Sequence, residues 1–300
     1  MKNFSELLQE TLKQNRRSFS QALSLIPQLS KQDEQVLLHE FLTQKSVPPI
    51  IGLFGTPGAG KSSFLNLLSH YRKDFYPQRK IGLLLIDPSS PIHGGSILGD
   101  RVRLTEHFLE DEVYIRSISN ETSLDGLNPR LAHYLMLFTL FKFDLILVES
   151  VGGGQASTNL KRFVDRLVMI YDPHSGDGVQ HLKGGALDVA QDVIISKADL
   201  INVSMTIQSL KEWSNSNLNF HSANLTQKDS LNNFFQEIFE KTSQNSFQNL
   251  PQVLLWQEAE REFRIHFDNY YTQFIKNTQM SEENIQVFRK NFPHFFLKNT

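Results

Sequence analysis

No cysteine occurs in the 300-residue chain. That excludes a disulfide-stapled scaffold and every metal centre built from thiolates, and it permits a reducing compartment without requiring one. An excess of either charge is missing as well. Thirty Lys and Arg face 32 Asp and Glu, a net of −2, so bulk electrostatics give no reason to expect a nucleic-acid or membrane partner. Apolar residues make up 40% and charged ones 21%, within the range of an ordinary globular chain. The first ten residues, MKNFSELLQE, lack the apolar core of a signal peptide, and their acidic residues argue against a transit peptide, so a cytoplasmic location is expected.

Long apolar runs are scarce. The nearest to a membrane span is YLMLFTLFKFDLILVES, from Tyr134 to Ser150, with Lys142 and Asp144 at its middle. Each would cost ~2.5–3.5 kcal/mol in a lipid-exposed helix. A helix ending near Phe141, a turn at 142–144 and a buried strand over 145–148 fit the run better.

Three regions follow from the patterning: helical residues 1–48, an α/β domain over 49–245, and helical residues 246–300. In the first, Leu7, Leu8 and Leu12, then Phe19, Leu23 and Ile26, keep helical spacing. Ser30 with Asp33 can cap a second helix bearing Leu37, Leu38, Phe41 and Leu42, and Pro48-Pro49 closes the segment. In the second, short apolar runs recur at 50–54, 81–86, 113–118, 145–148, 167–171, 193–195 and 218–221, mostly separated by helix-length stretches. Strands alternating with helices imply βαβ units and a mostly parallel sheet flanked by helices, and continuous rather than alternating apolar runs imply cover on both faces. In the third, Trp256, Phe263, Phe267, Tyr270 and Phe274 line one helix face. That face either packs on the chain's own sheet domain or forms a homodimer arm; the periodicity is the same in both cases.

The chemistry begins at residues 55–62, GTPGAGKS, which match G-x-x-x-x-G-K-[ST] between a strand and the apolar helix SSFLNLLSHY. Gly55, Gly58 and Gly60 let the backbone curl so that its N–H groups face phosphate oxygens. Thr56, Pro57 and Ala59 complete the loop. Lys61 supplies positive charge to the β and γ phosphates, the helix N-terminus adds its dipole, Ser62 offers a hydroxyl to Mg²⁺ and Ser63 reaches the α-phosphate. Three carboxylates are candidates for the metal and the attacking water: Asp87 at the end of IGLLLID, Glu149 at the end of DLILVE, and Asp100 closing DPSSPIHGGSILGD. Two glycine-rich stretches, 150–157 and 173–188, read either as mobile loops around a γ-phosphate or as tight surface turns.

Residues 193–200, VIISKADL, pose the question of the base. An apolar run leading into x-K-x-D is how many GTP-binding proteins present their guanine-reading loop, usually with Asn where Ser196 stands. A carboxylate at Asp199 accepts from guanine N1–H and the exocyclic amine, which adenine cannot match; such bonds are worth ~1.5–3 kcal/mol. Lys197 can lay its alkyl stem along the base plane. Ser in place of Asn costs about 1 kcal/mol, so guanine is still preferred, with weaker affinity.

GTPGAGKSS, DPSSPIHGGSILGDRVRL, VESVGGGQ and SGDGVQHLKGGALDVAQDVIISKADL, in that order, resemble the successive signatures of the ArgK/MeaB family, P-loop GTPases that act as chaperones for methylmalonyl-CoA mutase and related adenosylcobalamin enzymes. The second piece is the most specific, and the resemblance runs from residue 5 to residue 275. It implies a Mg²⁺-dependent GTPase, binding GTP and GDP, that gates cofactor loading or protection of an adenosylcobalamin-dependent mutase. Carried over, it places phosphates on Gly55 to Ser63, Mg²⁺ and the catalytic water on Asp87, Asp100 and Glu149 with Lys61, the base on Asp199, and a guanine-closing loop on Ser222, Ala223 and Asn224. Residues 176–188 would be the switch that senses the client. There are departures from the family pattern: Ala156-Ser157 stand for Ser-Glu, and Gly178, His181 and Gly184 for Glu, Gly and Arg. These motivate one alternative, a nucleotide-dependent interaction protein with impaired hydrolysis. A nickel-type metallochaperone GTPase is another, against which the absence of cysteine and of clustered histidines counts.

Overall fold

In a computed structural model of the chain, the described residues are 2–87, 110–120, 127–150, 155–175, 185–214 and 217–240. All lie in the first of two compact units, Met1–Leu250. Among them, seven strands form one sheet: β1 (Ile50–Gly55), β2 (Ile81–Asp87), β3 (Val113–Ser119), β4 (Leu145–Ser150), β5 (Arg166–Tyr171), β6 (Asp192–Ile195) and β7 (Asn219–Ser222). The order is β3-β2-β4-β1-β5-β6-β7, and every pairing is parallel. Each strand lies within two residues of an apolar run read from the sequence. Strands β1 and β2 are buried at every position, as a sheet covered on both faces requires.

One face carries α4 (Lys61–Phe75) and α9 (Asn232–Glu240). Phe64, Leu68 and Tyr71 of α4 and Phe235 of α9 share a core with Leu53, Leu83, Leu85, Leu147 and Ile170 of the sheet. Strand side chains alternate, so residues 52 and 82 belong to the other face. There α5 (Leu131–Leu140) and α6 (Gln155–Leu160) approach so closely that a Cβ on Gly82 would lie 2.6 Å from Phe138, and one on Gly52 3.1 Å from Leu160.

The N-terminal region forms three helices, α1 (Phe4–Leu12), α2 (Arg16–Leu25) and α3 (Lys31–Leu42). The run over residues 7–26 is therefore broken in two. Gln14 takes a left-handed backbone (φ 64°), and Asn15 caps α2 by accepting from the Ser18 N–H at 3.0 Å. Ser30 caps α3 as expected, accepting from the Asp33 N–H at 3.1 Å. These helices are anchored to the sheet domain. Phe19, fully buried, stacks on Phe141 with ring centroids 4.3 Å apart and meets Phe138, Tyr114 and Phe143 edge-on or tilted. Arg16 donates to the carbonyls of Asp111 and Val113, and Gln14 to that of Phe141. The turn from α5 into β4 uses a left-handed Lys142 (φ 57°). Among the described residues, no helix is long and apolar enough to cross a membrane. The aromatic face at 256–274 lies outside the described residues.

At the edge of the sheet where strands begin sits a buried charge cluster. Asp192, fully buried, accepts from Arg166 Nε at 2.5 Å and Nη2 at 2.6 Å, and its Oδ1 lies 3.0 Å from His221 Nε2. Arg166 also donates to Glu237 of α9 at 2.9 Å and lies over the Phe234 ring. Burial pushes the Asp192 carboxyl up, but Arg166 and His221 outweigh it and hold the carboxyl below the ordinary aspartate value. Its stabilising contribution is thus complete above the unfolded aspartate pKa of ~3.9 and is lost as pH falls through the lower folded value. Asp192→Asn should cost about 2 kcal/mol at neutral pH, because Arg166 loses its bidentate carboxylate and keeps only Glu237 as an ionic partner among the described residues, and should flatten the acid limb of a urea-melt stability profile. An unchanged acid limb would assign the acid sensitivity elsewhere.

Candidate functional site

The strand order reverses around β1, so the loops after β1, β2, β4, β5 and β6 gather at one edge, where open α/β sheets bind ligands. The loop after β1 is the GTPGAGKS segment. Gly55 faces β5 so closely that a Cβ would run into the Ile170 carbonyl oxygen. Gly60 has a left-handed backbone (φ 105°), and a Cβ there would lie 2.6 Å from Leu225 and 4.0 Å from the Ser196 Cβ. The phosphate loop therefore lies against Leu225 in the loop after β7 and close to Ser196 at the end of β6.

Gly60 is also the N-cap of α4 and offers no side-chain cap. Helices α1, α2, α3 and α8 (Val203–Trp213) are capped by Asn3, Asn15, Ser30 and Asn202. The start of α4 keeps its first N–H groups and its dipole for an anion. Lys61 is buried and donates from Nζ to the carbonyls of Gly55 (3.0 Å) and Thr56 (3.2 Å). These bonds satisfy a buried ammonium, and phosphate oxygens would be stronger acceptors in their place. Thr56 and Ala59 are buried, and the Ala59 N–H closes the turn onto the Thr56 carbonyl at 3.1 Å. Pro57, Gly58 and Ser63 are exposed and Ser62 is half-buried.

Asp87 and Glu149 lie on the α4 side of the sheet. Leu85 and Leu147 belong to the core under α4, and the two acids stand two residues further along the same strands. Glu149 is in register with Leu53 of β1 and Leu85 of β2. Asp87 is buried and Glu149 half-buried. Ser62 lies in the first turn of α4, and Asp87 and Glu149 stand at the ends of strands on its side of the sheet; their oxygens are of the kind a hard cation such as Mg²⁺ takes. Asp100 and residues 151–154 and 176–184 lie outside the described residues. The final part of the expected switch is seen as Gly185 (φ 76°) leading into the short helix α7 (Ala186–Val189).

The SKAD segment leaves β6 at Ile195. Ser196 is buried, its N–H and Oγ both donating to the Tyr171 carbonyl, at 2.9 and 3.2 Å. Lys197 adopts a left-handed backbone (φ 53°), and a single 3₁₀ turn (Ala198–Leu200) presents Asp199 exposed. The Ala198 N–H donates to the Ala223 carbonyl at 3.3 Å, so the SKAD loop and the loop after β7 are joined. Ala223 is buried and Ser222 exposed. Asn224 closes its own turn, its Oδ1 accepting from the Thr226 N–H (3.1 Å) and Oγ1 (2.7 Å). One residue of this region escaped sequence analysis. Asp172, the residue after β5, is buried and accepts from Lys197 Nζ at 2.5 Å. Its only sequence signal was an acid at a strand end within YDPHSGD.

A parallel sheet with this strand order, a glycine loop at the β1–α4 junction and carboxylates at neighbouring strand ends define a P-loop nucleoside-triphosphatase fold. Residues 19–248 match the model of the methylmalonyl-CoA mutase-associated GTPase MeaB family, and the chain belongs to that family. A Pyrococcus horikoshii protein bearing a GTPase name is 30% identical over 207 residues, 69% of this chain and 64% of its own length. GTPase ArgK of Escherichia coli is 35% identical over 149 residues, 50% of this chain and 44% of its own. The mouse methylmalonic aciduria type A homolog is 34% identical over 149 residues, 50% of this chain and 35% of its own. The matched part is thus less than two thirds of each relative. Among solved structures, a LAO/AO transport system kinase superimposes with a TM-score of 0.63 at 19% identity, covering 97% of this chain and 99% of its own, and shares the fold. HypB from Helicobacter pylori, solved with nickel, has a TM-score of 0.51 at 20% identity, covering 72% of this chain and 97% of its own.

The contact between Gly55 and β5 is backbone against backbone, with no flexible side chain to yield. Gly55→Ala should therefore cost about 2 kcal/mol or more in urea unfolding and abolish nucleotide binding. Wild-type stability in the variant would show that β1 and β5 separate easily at the site.

Proposed function

We propose that the protein binds GTP and GDP, hydrolyses GTP slowly with Mg²⁺, and uses the two states to gate cofactor loading or protection of an adenosylcobalamin-dependent mutase of the methylmalonyl-CoA mutase type. The observation that supports the nucleotide part most is that Gly60 of the phosphate loop lies against Leu225 of the loop after β7 and close to Ser196 at the end of β6. One ligand carrying both phosphates and a base would bridge loops already in contact.

In this reading the N–H groups of residues 58–63 bind phosphate oxygens, and Lys61 exchanges its Gly55 and Thr56 carbonyls for them. Ser62 and Asp87 would hold Mg²⁺, directly or through water, and the ion would supply positive charge to the phosphates. Glu149, or Asp100, orients the attacking water. Asp199 reads the guanine edge. The mutase partner is motivated by the family description and by the name of the mouse relative.

Titration of GTP, GDP, ATP and XTP with Mg²⁺ tests the base. Wild type should prefer guanine nucleotides to ATP by at least about tenfold, and Asp199→Asn should shift the preference toward XTP. Equal binding of ATP and GTP would remove Asp199 from the role. Lys61→Ala should lose GTP hydrolysis, and full turnover in that variant would sink the proposed chemistry. The partner is tested by phosphate release with and without an adenosylcobalamin-dependent methylmalonyl-CoA mutase. A faster rate with the mutase is expected; identical rates would leave a GTPase without this client.

A further inference from the structure

The loop that begins at Ser196 is held at its first residue by a bond that Ser makes differently from the usual Asn. Ser196 Oγ has one proton, and it goes to the Tyr171 carbonyl at 3.2 Å. The side chain ties the loop to the end of β5 and cannot also donate across to the phosphate loop. The next residue is tied to the same place. Lys197 Nζ donates to Asp172 Oδ2 at 2.5 Å, while Asp172 Oδ1 accepts the backbone N–H of His174 at 3.0 Å, with the His174 ring 3.5 Å away. Asp172 is buried, and its Lys197 partner is about half exposed. Burial raises the Asp172 carboxyl, but the Lys197 bond, the His174 N–H and their charges prevail, so it is ionised at neutral pH. Lys197 also carries a left-handed backbone, which an L side chain adopts only where its surroundings enforce it.

We infer that Asp172 is a positioning residue for base recognition: its carboxylate locks the Lys197 side chain in the orientation that makes its alkyl stem a platform for the base. This rests on the guanine-nucleotide reading above. In this assignment Asp172 acts through Lys197 and not by contact with the nucleotide. It takes over part of the loop-tying role that a longer first residue than Ser196 would fill. The ligand class it serves is a purine nucleotide, and its effect falls on the base and not on the phosphates.

The pair can be tested without disturbing the turn. In Asp172→Asn the amide oxygen still accepts the His174 N–H, and the amide NH₂ then faces Lys197 Nζ, donor against donor. Calorimetric titration should be made with GDP and with inorganic tripolyphosphate, on wild type, Asp172→Asn, Lys197→Met and the double variant. The expected result is GDP affinity weakened about fivefold by Asp172→Asn, tripolyphosphate affinity unchanged, and no further loss from Asp172→Asn once Lys197 is Met. General damage to the fold would weaken both ligands and persist in the Lys197→Met background, and would overturn the assignment. Unchanged GDP affinity in Asp172→Asn would also overturn it while leaving the GTPase reading intact. Wild type that binds tripolyphosphate but not GDP would instead overturn the guanine reading and this inference with it.

Discussion

All described strands of the sheet run in one direction, and this constraint organises the molecule. Parallel strands end at the same edge, so each connection out of the sheet starts there, whatever the helix that follows it. The phosphate loop after β1, the acids ending β2 and β4, Asp172 after β5 and SKAD after β6 are neighbours for that reason alone. The approach of Gly55 to the Ile170 carbonyl tightens the arrangement at its centre. It brings the base of the phosphate loop against the strand whose next two residues anchor the SKAD loop.

The opposite edge does different work. There Asp192, Arg166, His221 and Glu237 form a charge cluster shared by β5, β6, β7 and α9. Removing two charges from water is costly, and bidentate pairing offsets much of it. What such a pair contributes is register: Arg166 and Asp192 open adjacent strands, and sliding either by one residue would turn a buried charge to the wrong face. The same slip would misalign Tyr171 with Ser196 at the far end. Stability at one edge and loop alignment at the other are thus coupled through a rigid sheet.

Much of this was legible in the sequence. Strand positions were, because apolar runs of three to six residues are too short for helices and are set between helix-length stretches. The phosphate loop was, because Gly55, Gly58, Gly60 and Lys61 must stand at fixed spacing for backbone N–H groups to converge. Two things were not. The break between α1 and α2 rests on a left-handed Gln14, a residue type that gives no warning of positive φ. Asp172 was hidden because its partner, Lys197, is 25 residues away in sequence and meets it only through parallel pairing of β5 and β6. Local patterns report on local geometry; cross-strand contacts between loops leave no period to read.

That second omission bears on how the SKAD motif should be understood. Judged as four letters, Ser196 is a shortened Asn and implies a weaker site. Judged in the fold, the hydroxyl spends its proton on β5, the lysine beside it is tied to the residue just after β5, and the Ala198 N–H is bonded to Ala223 beyond β7. The loop is supported from both neighbouring strands. Since the entropy of ordering a loop falls on binding only if the loop is disordered beforehand, such support would, on the proposed reading, recover affinity without adding a contact to the ligand. On the proposed reading, base recognition is then a property of three strand ends, and a substitution inside the motif can be offset by a residue that no motif contains.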